Sequence, residues 1–588
     1  MKNLDRLATK LACLLILLVS FSCNKETDFS RVVTNPIDVD YAFTREHSEG
    51  GREAADPVVV LFGDRYYMFA SKSYGYWSSE DMHHWTFITN NLLPFDLYAP
   101  AVMSYKNELY FMASFQNRLY KTSSPEDGDS WVVASDSICA YRDDPSRIII
   151  DPYLFVDDDD RVYLYWGCSQ VEPIQGVELD TENGFRAKDN PVELIPHNEK
   201  IYGWECRGDK NDTSDPSSNE GSAMFKYNGR YYLQYAGPGT EFDCYGDGLY
   251  VGDSPLGPFT HYENSPFSIK PGGWMTGAGH GDTFQDKYGN WWHVSSTVVC
   301  QRFLFERRIG FYPVIFTEEG FIHALTDFSD YPYILPNRKM DWKKESPWTG
   351  WMDLSLGKTA TASSQKENHP ASLATDNTIK TWWSATSGEP REWIAVDLEQ
   401  TCRIHAVQTN FADEDFGMYE TNRPKSPYKY RVEASDDGSN WRMICDMSNN
   451  TTTRPHELIV LPKPVKARHI RLTNTGQLTG KFSVHDLRVF GIAPGKKPDS
   501  VKEISIARNS DKRRIEASWP AADRAQGYVL HWGTRPDELF STCQAMGTSL
   551  ELGLFSNNQD YYFRVDAFNG SGITQGTAIA STSHPSEN

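Results

Sequence analysis

Four residues recur at the same phase of a repeated strand pattern, and all four can exchange protons. Asp56 in AADPVVVLFGDRYYMFAS, Asp151 in IDPYLFVDDDDRVYLYWG and Glu220 in NEGSAMFKYNGRYYLQYAG each lie about eight residues before a polar turn that leads into an aromatic strand. A further copy, GHGDTFQDKYGNWWHVSS, puts His280 at that phase. Paired carboxyl groups suit hydrolysis of a glycosidic bond: one donates a proton to the leaving oxygen and the other activates water. In the inverting version the two stand roughly 6.5–9.5 Å apart. The two roles require different proton affinities. A third carboxylate beside the acid raises its pKa by like-charge repulsion. Each residue also has an ordinary reading: Asp before Pro opens a strand, Glu220 before Gly is a turn acid, and His280 between glycines is a packed histidine. Their joint recurrence favours chemistry.

Such residues meet only if repeated elements bring them together. Residues 50–340 consist of short aromatic and β-branched runs separated by Gly, Asn and Asp turns, an all-β signature. Five hairpins stand out: GDRYYMFAS at 63, KNELYFMAS at 106, DDRVYLYWG at 159, NGRYYLQYAG at 228 and YGNWWHVSS at 288. Each alternates as a half-buried strand does. A spacing of roughly 40–70 residues suits the blades of a β-propeller, whose innermost strands line an axis. Five repeats imply five blades, with residues of one phase gathered at one end of the channel.

Residues 50–335 resemble family 43 glycoside hydrolases in AADPVVV, IDPYLF, NEGSAMFKYNGRYYLQYAG, GAGHGDTF and FERRIGFYPV, in the family's order. The resemblance implies a five-bladed propeller and an inverting mechanism. It gives Asp56 the role of general base, Asp151 that of pKa modulator and Glu220 that of general acid. His280 takes the place of an axial histidine that holds water or a metal ion, often calcium. Arg307 takes the place of a substrate-contacting arginine, although Arg308 beside it leaves two registers open. Invertase-like propellers carry an NDPN word, and here the first repeat reads AADPV. Trp204, next to Glu205, is either a sugar-stacking subsite or a loop anchor, and Tyr98, at the second repeat's equivalent phase, is a further pocket candidate. The run Asp157 to Asp160 reads as a solvated hairpin tip.

After a Lys-, Pro- and Trp-rich linker, residues 350–492 resemble a discoidin or coagulation-factor type C domain, the fold shared with family 32 carbohydrate-binding modules. WIAVDL, YRVEASDDGSNW and ARHIRL carry that resemblance. Its ligand site is not assigned: Asp376, Asn377 and Trp382–Trp383 suit an ion loop or core packing equally. Residues 498–588, with Trp519 and Tyr561–Tyr562, resemble a fibronectin type III sandwich, expected to act as a spacer. The expected architecture is therefore all-β throughout: a five-bladed propeller, a discoidin-like β-sandwich and an immunoglobulin-like fibronectin type III sandwich.

The chain has 588 residues, too many for one core. Its net charge of −21 argues against nucleic acid as a partner and leaves neutral polysaccharide or oligosaccharide open. Residues 1–23 join a basic start to the apolar run LACLLILLVSF and end at Cys23, which is too short for a comfortable membrane span and fits an export signal. The arrangement resembles a bacterial lipoprotein signal with lipidation at Cys23, although Ser20 stands where Leu is usual; a plain secretory signal is the alternative. A tether is expected over 24–49. The implied location is the outer membrane or cell surface through a lipid anchor, otherwise the periplasm, and a monomer is expected. Cys139, Cys168, Cys206, Cys244 and Cys300 have neither CxxC nor zinc spacing. No cofactor is required by this reading, with a structural calcium as an option. The leading expectation is an exported inverting exo-glycosidase, with α-L-arabinofuranosidase or β-D-xylosidase activity implied by the family. A β-galactosidase or galactanase of the same family is the alternative. From another class comes a non-catalytic surface glycan-binding protein, which has no need of three converging acids.

Overall fold

The computed structural model describes residues 29–583, apart from 45–50, 145, 214, 417–422, 424–425 and 477–478. Cys23 and the expected signal segment lie outside the described residues. Among those residues the regular elements are strands and four short 3-10 turns, and none is an α-helix.

Five antiparallel sheets follow one another between Ala55 and Ala324. Their first strands are Ala55–Phe62, Ala101–Tyr105, Tyr153–Val156, Glu220–Tyr227 and Thr276–Gln285. Each first strand lies against that of the next sheet, and the fifth returns to the first. Asp282 ties this ring internally: its carboxylate accepts from the Tyr153 hydroxyl at 2.9 Å and from the Val59 amide at 3.2 Å. The hairpin words found in the sequence are second strands. Arg65–Ser71 pairs with Ala55–Phe62, and Trp291–Val298 pairs with Thr276–Gln285.

The segment expected to be a tether differs in its described part. Val32–Val33 pairs with Tyr333–Ile334, Ala42–Phe43 pairs with Arg52–Glu53, and Ile37, Val39 and Tyr41 are buried. Alternating apolar residues over 37–41 give that segment a face to bury, so it closes against the sheets instead of hanging free.

Eight strands between Met352 and Ile492 form a second body around its own core. Two of them, Trp393–Phe411 and Leu458–Asn474, are long and pair with each other through register shifts, which let one strand bend around the core. The C-terminal residues form a three-stranded and a five-stranded sheet. Their core runs continuously into the third and fourth sheets: Trp519, Trp532 and Phe555 belong to one apolar cluster with Trp204, Leu233 and Tyr235. This segment is packed against the sheets, which corrects its expected role as a spacer.

Candidate active site

The backbone turns sharply where the ring's first strands begin. Asp56, Ala99, Asp151, Gly221 and His280 all have left-handed φ, from +46° to +58°. These five positions are the shared phase of the repeat, one per sheet. Asp tolerates this region better than most side chains because it can bond locally. Three of the five first strands, those of the first, fourth and fifth sheets, also carry a register shift that spans the turn. A bulge of this kind re-aims the next side chain. Glu220 itself sits one residue before the shared phase. Gly221 takes the left-handed position because a Cβ there would stand 2.5 Å from Cγ of His280.

The predicted residues converge around the His280 ring. Its Nδ1 lies 3.4 Å from Asp56 Oδ1 and 3.8 Å from Asp151 Oδ2. Asp151, Glu220 and Cys168 bring one ligand atom each within 4.8 Å of one another. The acids differ in their partners. Asp56 receives Arg307 Nη1 at 2.7 Å, Ser71 Oγ at 2.5 Å and Ser296 Oγ at 3.4 Å. Burial works against its charge, but Arg307, His280 and Ser71 outweigh burial and hold its pKa below the usual carboxylate value. Glu220 accepts from the Tyr245 hydroxyl at 2.5 Å and from the Cys168 thiol at 3.4 Å, and no Lys or Arg among the described residues pairs with it. Burial and then the Asp151 charge push its pKa up to about 7. Asp151 is bonded to Ser114, which accepts from its amide at 2.8 Å, and burial raises its pKa as well. Burial disfavours a charged His280, yet Asp56, Asp151 and Glu220 overcome this and raise its pKa.

Arg307 faces the acids and Arg308 does not. Adjacent strand residues point to opposite faces. Arg307 also reaches Glu53 Oε1 at 2.9 Å and Thr240 Oγ1 at 3.2 Å. It is thus a buried fork on the candidate base. Tyr98 is half-buried beside it, with the Lys72 ammonium 4.3 Å over its ring and Phe305 at 5.6 Å. Trp204 does not face the site. It is fully buried, 5.1 Å from the Tyr235 ring, and Glu205 accepts from the Tyr235 hydroxyl at 2.6 Å and the Asn198 amide at 2.8 Å. A ring with no exposed face cannot stack on a sugar, so the subsite expected there is corrected to a core anchor.

Residues 51–322 match the model of the Glycosyl hydrolases family 43, and residues 359–485 match that of the F5/8 type C domain. This chain contains a family 43 domain followed by an F5/8 type C domain. A curated Beta-xylosidase of Xylanibacter ruminicola is 32% identical over 129 residues, or 19% of this chain and 39% of that protein. The chain thus spans well under half of that relative's length. Among solved structures, the alpha-L-arabinofuranosidase of Clostridium thermocellum is 18% identical, covering 46% of this chain and 93% of that one at a TM-score of 0.34. The Bacteroides ovatus Xyloglucan PUL GH43B structure is 14% identical, covering 94% and 92% at a TM-score of 0.41.

Several residues of the family 43 domain that surround the acids escaped the sequence reading. Glu53, Ser71, Ser114, Thr240, Tyr245 and Ser296 reach the site through partners up to 254 residues away. Asp247 holds the His280 amide at 3.0 Å and His293 Nε2 at 3.0 Å. No spacing rule connects such positions; only the polar words NEG and GHG mark the ends where they gather. The donors around His280 do not fit calcium, which takes six to eight oxygens. His280 offers a nitrogen, and both oxygens of Asp56 are already engaged by Arg307 and two serines.

Proposed function

We propose that this protein is an inverting exo-glycosidase that removes terminal sugars from plant-type polysaccharide, as an α-L-arabinofuranosidase or β-D-xylosidase. The observation that carries this reading is the unequal setting of two buried acids around His280. Asp56 is clamped by a guanidinium and two hydroxyls, whereas Glu220 stands beside Asp151 with no Lys or Arg among the described residues paired to it. Asp56, ionised, takes a proton from water as the water oxygen bonds to the anomeric carbon. Glu220 gives its proton to the leaving oxygen as the glycosidic bond breaks. Asp151 keeps Glu220 protonated by like-charge repulsion, and Arg307 and His280 keep Asp56 ionised. Tyr98 lines the sugar's approach. No step requires a metal.

The architecture we infer for residues 50–340 is a five-bladed propeller, supported by the closed ring of five sheets, with a fibronectin type III sandwich over 498–588. We further infer export, with Cys23 as a lipidated first residue at the outer membrane or cell surface, a monomeric state and a polysaccharide partner. Intact-mass measurement of the purified protein tests the anchor. Release from aryl α-L-arabinofuranoside, β-D-xyloside and β-D-galactoside panels tests the activity and its β-galactosidase alternative. Cleavage by the wild type, lost in Glu220→Gln for leaving groups that need a proton to depart, is the expected result. Glycan binding with no cleavage of any panel member would make this a surface glycan-binding protein instead. Proton NMR of the first-formed sugar is expected to show the inverted anomer.

A further inference from the structure

Two strands of the family 43 domain begin with charged pairs that split between the pocket and the F5/8 domain. Neighbouring residues on a strand point to opposite faces. On Arg52–Glu53, Glu53 turns to Arg307, 2.9 Å away, while Arg52 turns to the F5/8 domain. There Arg52 Nε donates to Asp413 Oδ2 at 2.7 Å, and its Nη2 donates to Asp413 Oδ1 at 3.2 Å and to the Tyr428 hydroxyl at 2.9 Å. On Arg307–Phe316, Arg307 forks onto Asp56 and Glu53, while Arg308 Nε reaches His456 Nε2 of the F5/8 domain at 3.2 Å. Arg52, Arg308 and Asp413 are all buried. The flanks are fixed in the same way. Phe43, on the strand paired with Arg52–Glu53, stacks on Phe416 at 5.3 Å. Arg302, five residues before Arg307, lies 4.8 Å over the Trp382 ring and donates to the Ala412 carbonyl.

We propose that the F5/8 domain holds the base of the family 43 site in place, with Asp413 as a positioning residue. Asp413 anchors Arg52, Arg52 fixes the strand that carries Glu53, and Glu53 and Asp56 together fix the guanidinium of Arg307. The second domain is then part of the catalytic apparatus. This rests on reading Asp56 as the base. Displacing a reacting group by about 1 Å costs on the order of a hundredfold in rate.

The test uses the full chain and an aryl glycoside that the wild type cleaves. Asp413→Asn strands a buried guanidinium and can fail to fold, so it is paired with Arg52→Met plus Asp413→Leu, which removes both charges and keeps the volume. Glu53→Gln breaks the middle link and leaves the domain contact intact. In the double variant and in Glu53→Gln, kcat is expected to fall about ten- to a hundredfold with KM changed far less. The acidic limb of kcat/KM is expected to move to higher pH, because Arg307 no longer lowers the pKa of Asp56. A lower Tm with kcat and the acidic limb unchanged in the double variant would make the contact structural only. An unmoved limb in Glu53→Gln would break the relay at its centre. Failure of the underlying reading has a separate signature: Asp56→Asn would then keep its rate, whatever Asp413 does.

Discussion

Asp56 and Glu220 have the same functional group and similar burial, so their difference arises from neighbours. The guanidinium of Arg307 and the Ser71 hydroxyl stabilise the charged form of Asp56, while Asp151 penalises the charge on Glu220. The rate should therefore fall on the acidic side only below the ordinary carboxylate range, where Asp56 takes up a proton. It should fall on the alkaline side through about pH 7, where Glu220 loses its own. Tyr245 donates to the carboxylate form of Glu220 and so lowers its pKa. Tyr245→Phe is predicted to move the alkaline limb of kcat/KM upward and leave the acidic limb in place; a downward move would refute Glu220 as the acid. Asp56→Asn retains a side chain that accepts the left-handed backbone, so it isolates the charge from the fold. Its kcat is expected to drop by roughly 10²–10⁴ with Tm little changed. Glu220→Gln should lose about as much on sugar leaving groups and much less on dinitrophenyl ones, which depart without a proton.

Each sheet of the ring has one residue with φ between +46° and +58° at or near the start of its first strand, and the identity of that residue decides what the sheet contributes. Where it is Asp or His, its own side chain enters the site; where it is Gly221, the preceding Glu220 enters instead, with the His280 ring resting on the bare glycine. Gly221→Ala is predicted to lower stability by about 1–2 kcal/mol from the left-handed backbone alone. It should also displace His280 and reduce kcat at least tenfold, measured by thermal melts and steady-state kinetics on the same samples. A melt shift with unchanged kcat would show that the ring of His280 is free to move. This element was legible in the sequence because Asp-Pro, Glu-Gly and His-Gly recur with hairpins of constant length. What was not legible depends on the third dimension. Arg307 and Arg308 are told apart only by strand alternation. Trp204 looks like a sugar platform beside an acid until the C-terminal sheets are seen to share its core. Val32–Val33 is too short a strand to announce that it pairs with Tyr333–Ile334, about 300 residues later.

At the scale of the whole molecule, the family 43 domain, the F5/8 domain and the C-terminal sheets are tied by buried groups. Besides Arg52–Asp413, Arg488 of the eight-stranded body donates to the Asp330 carbonyl, and the Gly203 amide reaches the Phe555 carbonyl at 3.0 Å. A single calorimetric transition is the expected unfolding behaviour. Its dependence on pH follows from many buried carboxyls. Burial raises Asp38, Glu53, Glu205 and Glu220 to about 7 and Asp282 to about 6. A raised group stabilises the fold fully below its unfolded pKa, and that contribution is lost as pH rises through the folded value. For these five the window runs from about 4 to about 7. Asp413 and Asp56 have lowered values and act in the opposite sense, losing their contribution as pH falls below the ordinary carboxylate range. Through these five groups stability should therefore decline from about pH 4 to about pH 7, with Tm falling by several degrees, about 5 °C or more. Glu205 is far from the reacting groups in function and accepts from Tyr235 and Asn198 in a closed pocket. Glu205→Gln removes its titration, so the decline of Tm between about pH 4 and 7 should become shallower while the pH profile of kcat/KM keeps its shape. A variant whose Tm declines as steeply as the wild type would show that Glu205 does not carry a proton in the folded state.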